Sequence, residues 1–116
     1  MKKIYHLATC DTNRRILSTL NLSSDVELQE IKTNPITPEQ LDYLCKLSGS
    51  YAALFSKTAR KYRLMGLHER DLSESDYRKL LLEEYTFLKR PVVIAGDRIF
   101  IGNAAAVVEA AANALR

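Results

Sequence analysis

The 116-residue sequence has no tryptophan, two cysteines, four glycines and three prolines, and each scarcity excludes something. Cys10 and Cys45 cannot supply the disulfide framework that staples small secreted domains, and their separation fits none of the common zinc spacings, so no metal is expected. So little glycine and proline leaves no low-complexity tract, repeat or linker. No run approaches the roughly 20 apolar residues of a membrane-spanning helix, and only a short apolar stretch, Ile4 to Ala8, follows Met-Lys-Lys; a cytoplasmic protein without membrane contact is expected. Charge of one sign is also scarce. Lys and Arg number 17 against 14 Asp and Glu, a net +3 spread along the chain that singles out no partner. What remains is a globular composition, 47% hydrophobic and 27% charged, on a length that suits about one domain.

Residues Ile4 to Ala8 are β-prone, and Thr9-Cys10-Asp11-Thr12 then supplies capping residues ahead of a helix whose Ile16, Leu17 and Leu20 share one face. Val26 to Ile31 reads as a second strand, and the strand, helix, strand order favours a parallel crossover. Thr37-Pro38-Glu39-Gln40 carries a capping box with proline at the first helical position, predicting a helix to about Leu47. Gly49-Ser50 interrupts it. A further helix is expected from about Tyr51 to Leu64, ending at Gly66, and another after Ser73 with Tyr77, Leu80 and Leu81 inward. Val92 to Ala95 and Arg98 to Ile101 flank Gly96-Asp97, a two-residue hairpin signal. Asn103 is the expected N-cap of a last helix with Ala104, Val107, Val108, Ala111 and Leu115 at helical spacing. The sum is an α/β domain over residues 1–116. It has a four-stranded mixed sheet with flanking helices, the thioredoxin arrangement, enlarged by a helical insertion at about 37–86 between the βαβ and ββα halves.

Cys10 sits where the first strand hands over to the first helix. Backbone N–H groups and the positive end of the helix dipole favour an anionic sulfur there, with Arg14 and Arg15 adding charge and Asp11 opposing it. The competing reading is a small buried apolar residue. The position from which a CxxC partner would act holds Asn13, so a second thiol must come from glutathione, another protein or Cys45. Cys45 shares a helical face with Leu41 and reads as core packing. His6, Tyr5 and Tyr77 read as packing residues. Arg60, Lys57, Lys61, Arg63, Arg90 and Arg98 read as solvated cations, and the run Lys57 to Arg63, with Tyr62 its one aromatic, argues against direct nucleic-acid binding.

Several segments, in order along nearly the whole chain, together resemble the arsenate reductase (ArsC)/Spx family of thioredoxin-fold proteins. They are Ile4-Tyr5 through Thr9-Cys10-Asp11-Thr12, Leu54-Phe55-Ser56, Tyr62-Arg63-Leu64-Met65-Gly66-Leu67, Leu72-Ser73, and Phe87-Leu88-Lys89-Arg90-Pro91-Val92-Val93-Ile94 followed by Ile101-Gly102. The Cys-Asp-Thr segment is most similar to the glutathione-dependent, reductase-like branch. The resemblance implies that Cys10 is the nucleophile, that Pro91 is a cis-proline facing it, and that Arg90 helps hold an oxyanion. Arg14 is the second expected oxyanion contact, and Thr9 and Thr12 are expected to shape the loop. Ser56 and Ile101 stand where arsenate reductases of the family carry arginines, so of the family's three oxyanion-binding arginines only Arg90 is matched, which leaves a tetrahedral dianion with two fewer charge-assisted contacts. The implied activity is a thiol oxidoreductase of arsenate reductase type, with glutathione as co-substrate or a glutaredoxin-like thiol resolving the Cys10 adduct. The alternative is a non-enzymatic module that binds RNA polymerase, like the Spx regulators, although Asn13 removes their CxxC switch.

Overall fold

The computed structural model describes all 116 residues, Met1–Arg116, and divides into two compact units. The first comprises Met1–Asn34 and Arg90–Arg116, the second Pro35–Lys89. The first unit holds one mixed sheet in the order β2-β1-β3-β4, built from β1 (Lys2–His6), β2 (Glu27–Glu30), β3 (Val92–Ala95) and β4 (Arg98–Ile101). β1 runs parallel to β2, with Ile4 opposite Leu28, and antiparallel to β3, with Ile4 opposite Val93. The parallel pair is joined through helix α1 (Asp11–Leu20), as the strand, helix, strand order predicts. β3 returns to β4 through Gly96-Asp97, with Ala95 opposite Arg98 and Gly96 at φ 64°, the positive φ that a tight hairpin turn requires. This is the expected four-stranded, thioredoxin-like sheet with flanking helices.

Strand alternation decides what each face buries. Ile4, Val93, Ala95 and Phe100 turn toward α1 and the last helix, α5 (Ala105–Leu115), where Leu17, Leu20, Val107, Ala110, Ala111, Ala114 and Leu115 complete a core. The alanines of α5 are what let its backbone lie close to the sheet. Lys3, Tyr5, Gln29, Val92 and Ile94, of opposite parity, are buried as well. Lys3 tolerates this because its ammonium pairs with Glu27 at 2.7 Å and lies 4.9 Å from the Tyr5 ring centroid.

Two expected caps are corrected here. The first helix is capped by the backbone of Cys10, without a side-chain hydrogen bond from Thr9, Asp11 or Thr12. α5 begins after Ala104, not at Asn103, because Gly102 at φ 94° donates its N–H to Pro91 O at 2.9 Å and delays the helix start.

In the second unit, α2 (Pro38–Ser48) starts on the expected box. Thr37 Oγ1 accepts from Gln40 N–H at 3.1 Å, and Gln40 Oε1 accepts from Thr37 N–H at 3.0 Å. α4 (Glu74–Glu83) repeats the device with Ser73 and Asp76. The long helix expected over 51–64 is absent. Ala52–Leu54 makes one 3-10 turn, and only Arg60–Leu64 is α-helical (α3). Between them the chain is extended at Phe55, where it bonds sideways, before turning at Lys57-Thr58: Phe55 bridges Leu88, Ser56 N–H donates to Phe87 O at 2.7 Å, and Lys89 N–H donates to Leu54 O at 2.8 Å. Those cross-chain bonds, with Phe55 sunk among aromatic rings, outweigh the helical periodicity that the apolar spacing suggested. No helix is long and apolar enough to cross a membrane.

Candidate active site around Cys10

β1 ends at His6, and after Leu7-Ala8-Thr9 the chain reaches Cys10 and turns into α1. Cys10 N–H donates to Leu7 O at 3.1 Å, and Cys10 O accepts from Arg14 N–H at 3.0 Å, so the cysteine is locked as the N-cap residue with its thiol half-buried. As the N-cap residue, Cys10 directly precedes the first-turn N–H groups of α1, which have no partner within the helix. Asn13, one turn on, is 1% exposed. Its Oδ1 accepts from Leu7 N–H at 3.0 Å, and its Nδ2–H donates to Cys10 Sγ at 3.6 Å. Asn13 was expected only as the place where a second cysteine is missing. The signal that could have found it is its spacing: residues 13, 16, 17 and 20 share one helical face, and a lone amide on an apolar face must have a polar partner.

The antiparallel register puts Val92 opposite Tyr5, so Arg90 and Pro91, just before β3, lie beside the segment that leaves β1 for Cys10. The Arg90–Pro91 peptide is cis and Pro91 is buried. Ile101, opposite Val92, is half-buried and brings no charge to this end of the sheet. Arg14 is engaged locally: Nη1 donates to Ala8 O at 2.9 Å, and its other terminal nitrogen pairs with Asp11. It thus braces the Cys10 loop. Thr9 is exposed, Thr12 half-buried, and neither side chain caps the helix. In the second unit Ser56 Oγ lies 3.0 Å from Thr58 Oγ1. Cys45 lies at the margin of that unit's core while Leu41 and Leu44 are fully buried. Burial first, then the Glu74 and Asp42 carboxylates, push its thiol up from 9.0 against an opposing hydrogen bond from Tyr51. Cys45 is therefore a poor thiolate source.

Glu30, at the end of β2, ties the same loop down. Its carboxylate accepts from Ala8 N–H at 2.9 Å and from Lys32 N–H, Thr33 N–H and Thr33 Oγ1 between 2.8 and 3.0 Å. Burial alone would push its carboxyl up, but these donors hold it below 4.5. A depressed carboxyl stabilises the fold above its unfolded value and loses that contribution as pH falls through the folded value. Glu30→Gln should therefore lower stability by about 1–2 kcal/mol at pH 7. In chemical denaturation across pH, the gap from the native chain should close well below pH 4.5. His6, opposite Glu30 in the register, has a buried Nδ1 without a partner. Burial pulls its imidazole below 6.5 against the raising effect of Glu30, so the neutral ring is favoured.

The model of the ArsC family matches residues 5–111, most of the chain. The chain belongs to the ArsC family. Among solved structures, the YffB protein superposes with a TM-score of 0.79 at 24% identity, covering 100% of both chains. An arsenate reductase from Vibrio cholerae also gives 0.79, at 20% identity, over 98% of this chain and 97% of its own. A possible arsenate reductase from Streptococcus mutans gives 0.69 at 27% identity, over 85% and 87%. No functionally curated protein matches.

Proposed function

We propose that the protein is a thiol oxidoreductase in which Cys10 attacks an oxidised arsenic or sulfur centre and a glutathione or glutaredoxin-like thiol resolves the adduct. The observation that carries this is the half-buried Cys10 sulfur at the start of α1, with the Asn13 amide aimed at it. With arsenate, Cys10 thiolate forms the S–As bond and expels hydroxide, which leaves as water. An incoming thiolate then attacks the Cys10 sulfur, the S–As bond breaks with its electron pair left on arsenic, and arsenite departs. The resulting mixed disulfide is reduced by a further thiol, which restores Cys10. Arg90 is the cation assigned to the oxyanion, and Arg14 supports the loop rather than the substrate. With Ile101 uncharged and Arg14 engaged by Asp11, the oxidised group best suited to the site carries less negative charge than a tetrahedral dianion, as a disulfide sulfur does.

The test is brief exposure to oxidised glutathione followed by intact mass and peptide mapping. One glutathione on Cys10, with Cys45 unmodified, is the expected result, since the Cys45 thiol is held protonated. A Cys10–Cys45 disulfide, or no reaction at either cysteine, would overturn the proposal.

A further inference from the structure

Asn13 is the least exposed of the three buried polar side chains, in a place where an apolar residue would pack more simply. Its carboxamide has two chemically different ends, and the structure fixes which faces where. Leu7 N–H is a donor, so only Oδ1 can meet it, at 3.0 Å. That leaves Nδ2–H directed at Cys10 Sγ, 3.6 Å away. Flipping the amide would orphan the buried Leu7 N–H and set an oxygen against the sulfur, so the loop that presents Cys10 also holds the donor to it.

We infer that Asn13 is the positioning residue of the Cys10 site, holding Sγ at the helix start with an N–H donor and denying it a second thiol on its own helix. The first part stands on the hydrogen bonds alone; the second rests on the reductase reading, because it commits the Cys10 adduct to a thiol from elsewhere. A hydrogen bond to sulfur fixes where Sγ sits and which side of it is open to attack, so losing the donor should change how readily Cys10 reacts.

The test of the donor uses the full chain and the rate at which iodoacetamide alkylates Cys10, resolved by peptide mapping across pH. Asn13→Asp still accepts from Leu7 N–H but turns an acceptor toward sulfur. Its alkylation should slow about tenfold at pH 7. Asn13→Ser, whose hydroxyl can donate, should stay within about threefold of the native rate. Asn13→Ala, read at a temperature where circular dichroism shows it folded, should behave like Asn13→Asp. A purely structural role would lower melting temperatures and leave the profiles superimposed, and that result overturns the inference.

The test of the missing thiol is Asn13→Cys treated with oxidised glutathione. Cys10 thiolate first takes one glutathionyl group and releases glutathione thiolate. The introduced thiolate should then attack the Cys10 sulfur and expel the second glutathione, leaving an internal disulfide, whereas the native chain should stop at the mixed disulfide. A persistent mixed disulfide in the variant overturns that half. Neither arm needs reductase turnover, so a failed reductase reading remains distinguishable from a failed role for Asn13.

Discussion

Cys10→Ser should lower thiol-dependent reduction of arsenate or of a small disulfide by roughly three orders of magnitude or more while leaving the melting temperature nearly unchanged. The two side chains differ in one atom, and Cys10 is half-buried at a backbone-defined cap that uses no side-chain hydrogen bond, so the fold has little to lose. The chemistry has everything to lose. A serine hydroxyl is scarcely ionised at neutral pH, and an oxygen adduct cannot be displaced at oxygen by a thiolate to pass two electrons to the substrate. The measurement is product formation, arsenite or reduced thiol, for native and variant chains at matched concentration, with circular dichroism melting alongside. A serine variant that kept even a tenth of the native rate would show that another group is the nucleophile.

The fold was legible wherever local signals and tertiary pairing agreed. The Thr37 and Ser73 boxes, the β-prone run of β1 and the Gly96-Asp97 turn between two apolar runs each specify an element in a few residues, and each element forms as expected. The sequence misled where non-local bonds override local spacing. From Ala52 to Arg60 the apolar positions suit a helix, yet the backbone of 54–56 pairs with 87–89, some thirty residues away, which no window of periodicity contains. The site was half legible. Cys10 stands out as a cysteine at a strand-to-helix junction, and the family motifs point to Arg90-Pro91. Asn13 and Glu30 were hidden because their roles are hydrogen bonds to Leu7, Ala8 and Cys10, and these depend on where the loop between β1 and α1 folds.

The second large effect is on stability. Phe55 is 2% exposed, stacks on Phe87 with ring centroids 4.8 Å apart, and meets Tyr77 at 4.9 Å and Tyr62 at 6.0 Å. It is the shared member of all three contacts, so removing its ring leaves a cavity that no single neighbour can fill. Phe55→Ala should cost about 3–5 kcal/mol, the lost transfer energy plus the cavity. That is a large share of the roughly 5–15 kcal/mol that usually separates folded from unfolded, and it corresponds to a fall in melting temperature of about 10–20 °C. Phe55→Leu keeps an apolar side chain in the same space and should cost much less, because the cavity is smaller while the backbone bridge to Leu88 is untouched. Urea denaturation of the two variants separates the contributions. If alanine and leucine destabilised equally, the loss would lie in the ring contacts rather than in the filled volume, and the cavity argument would fail.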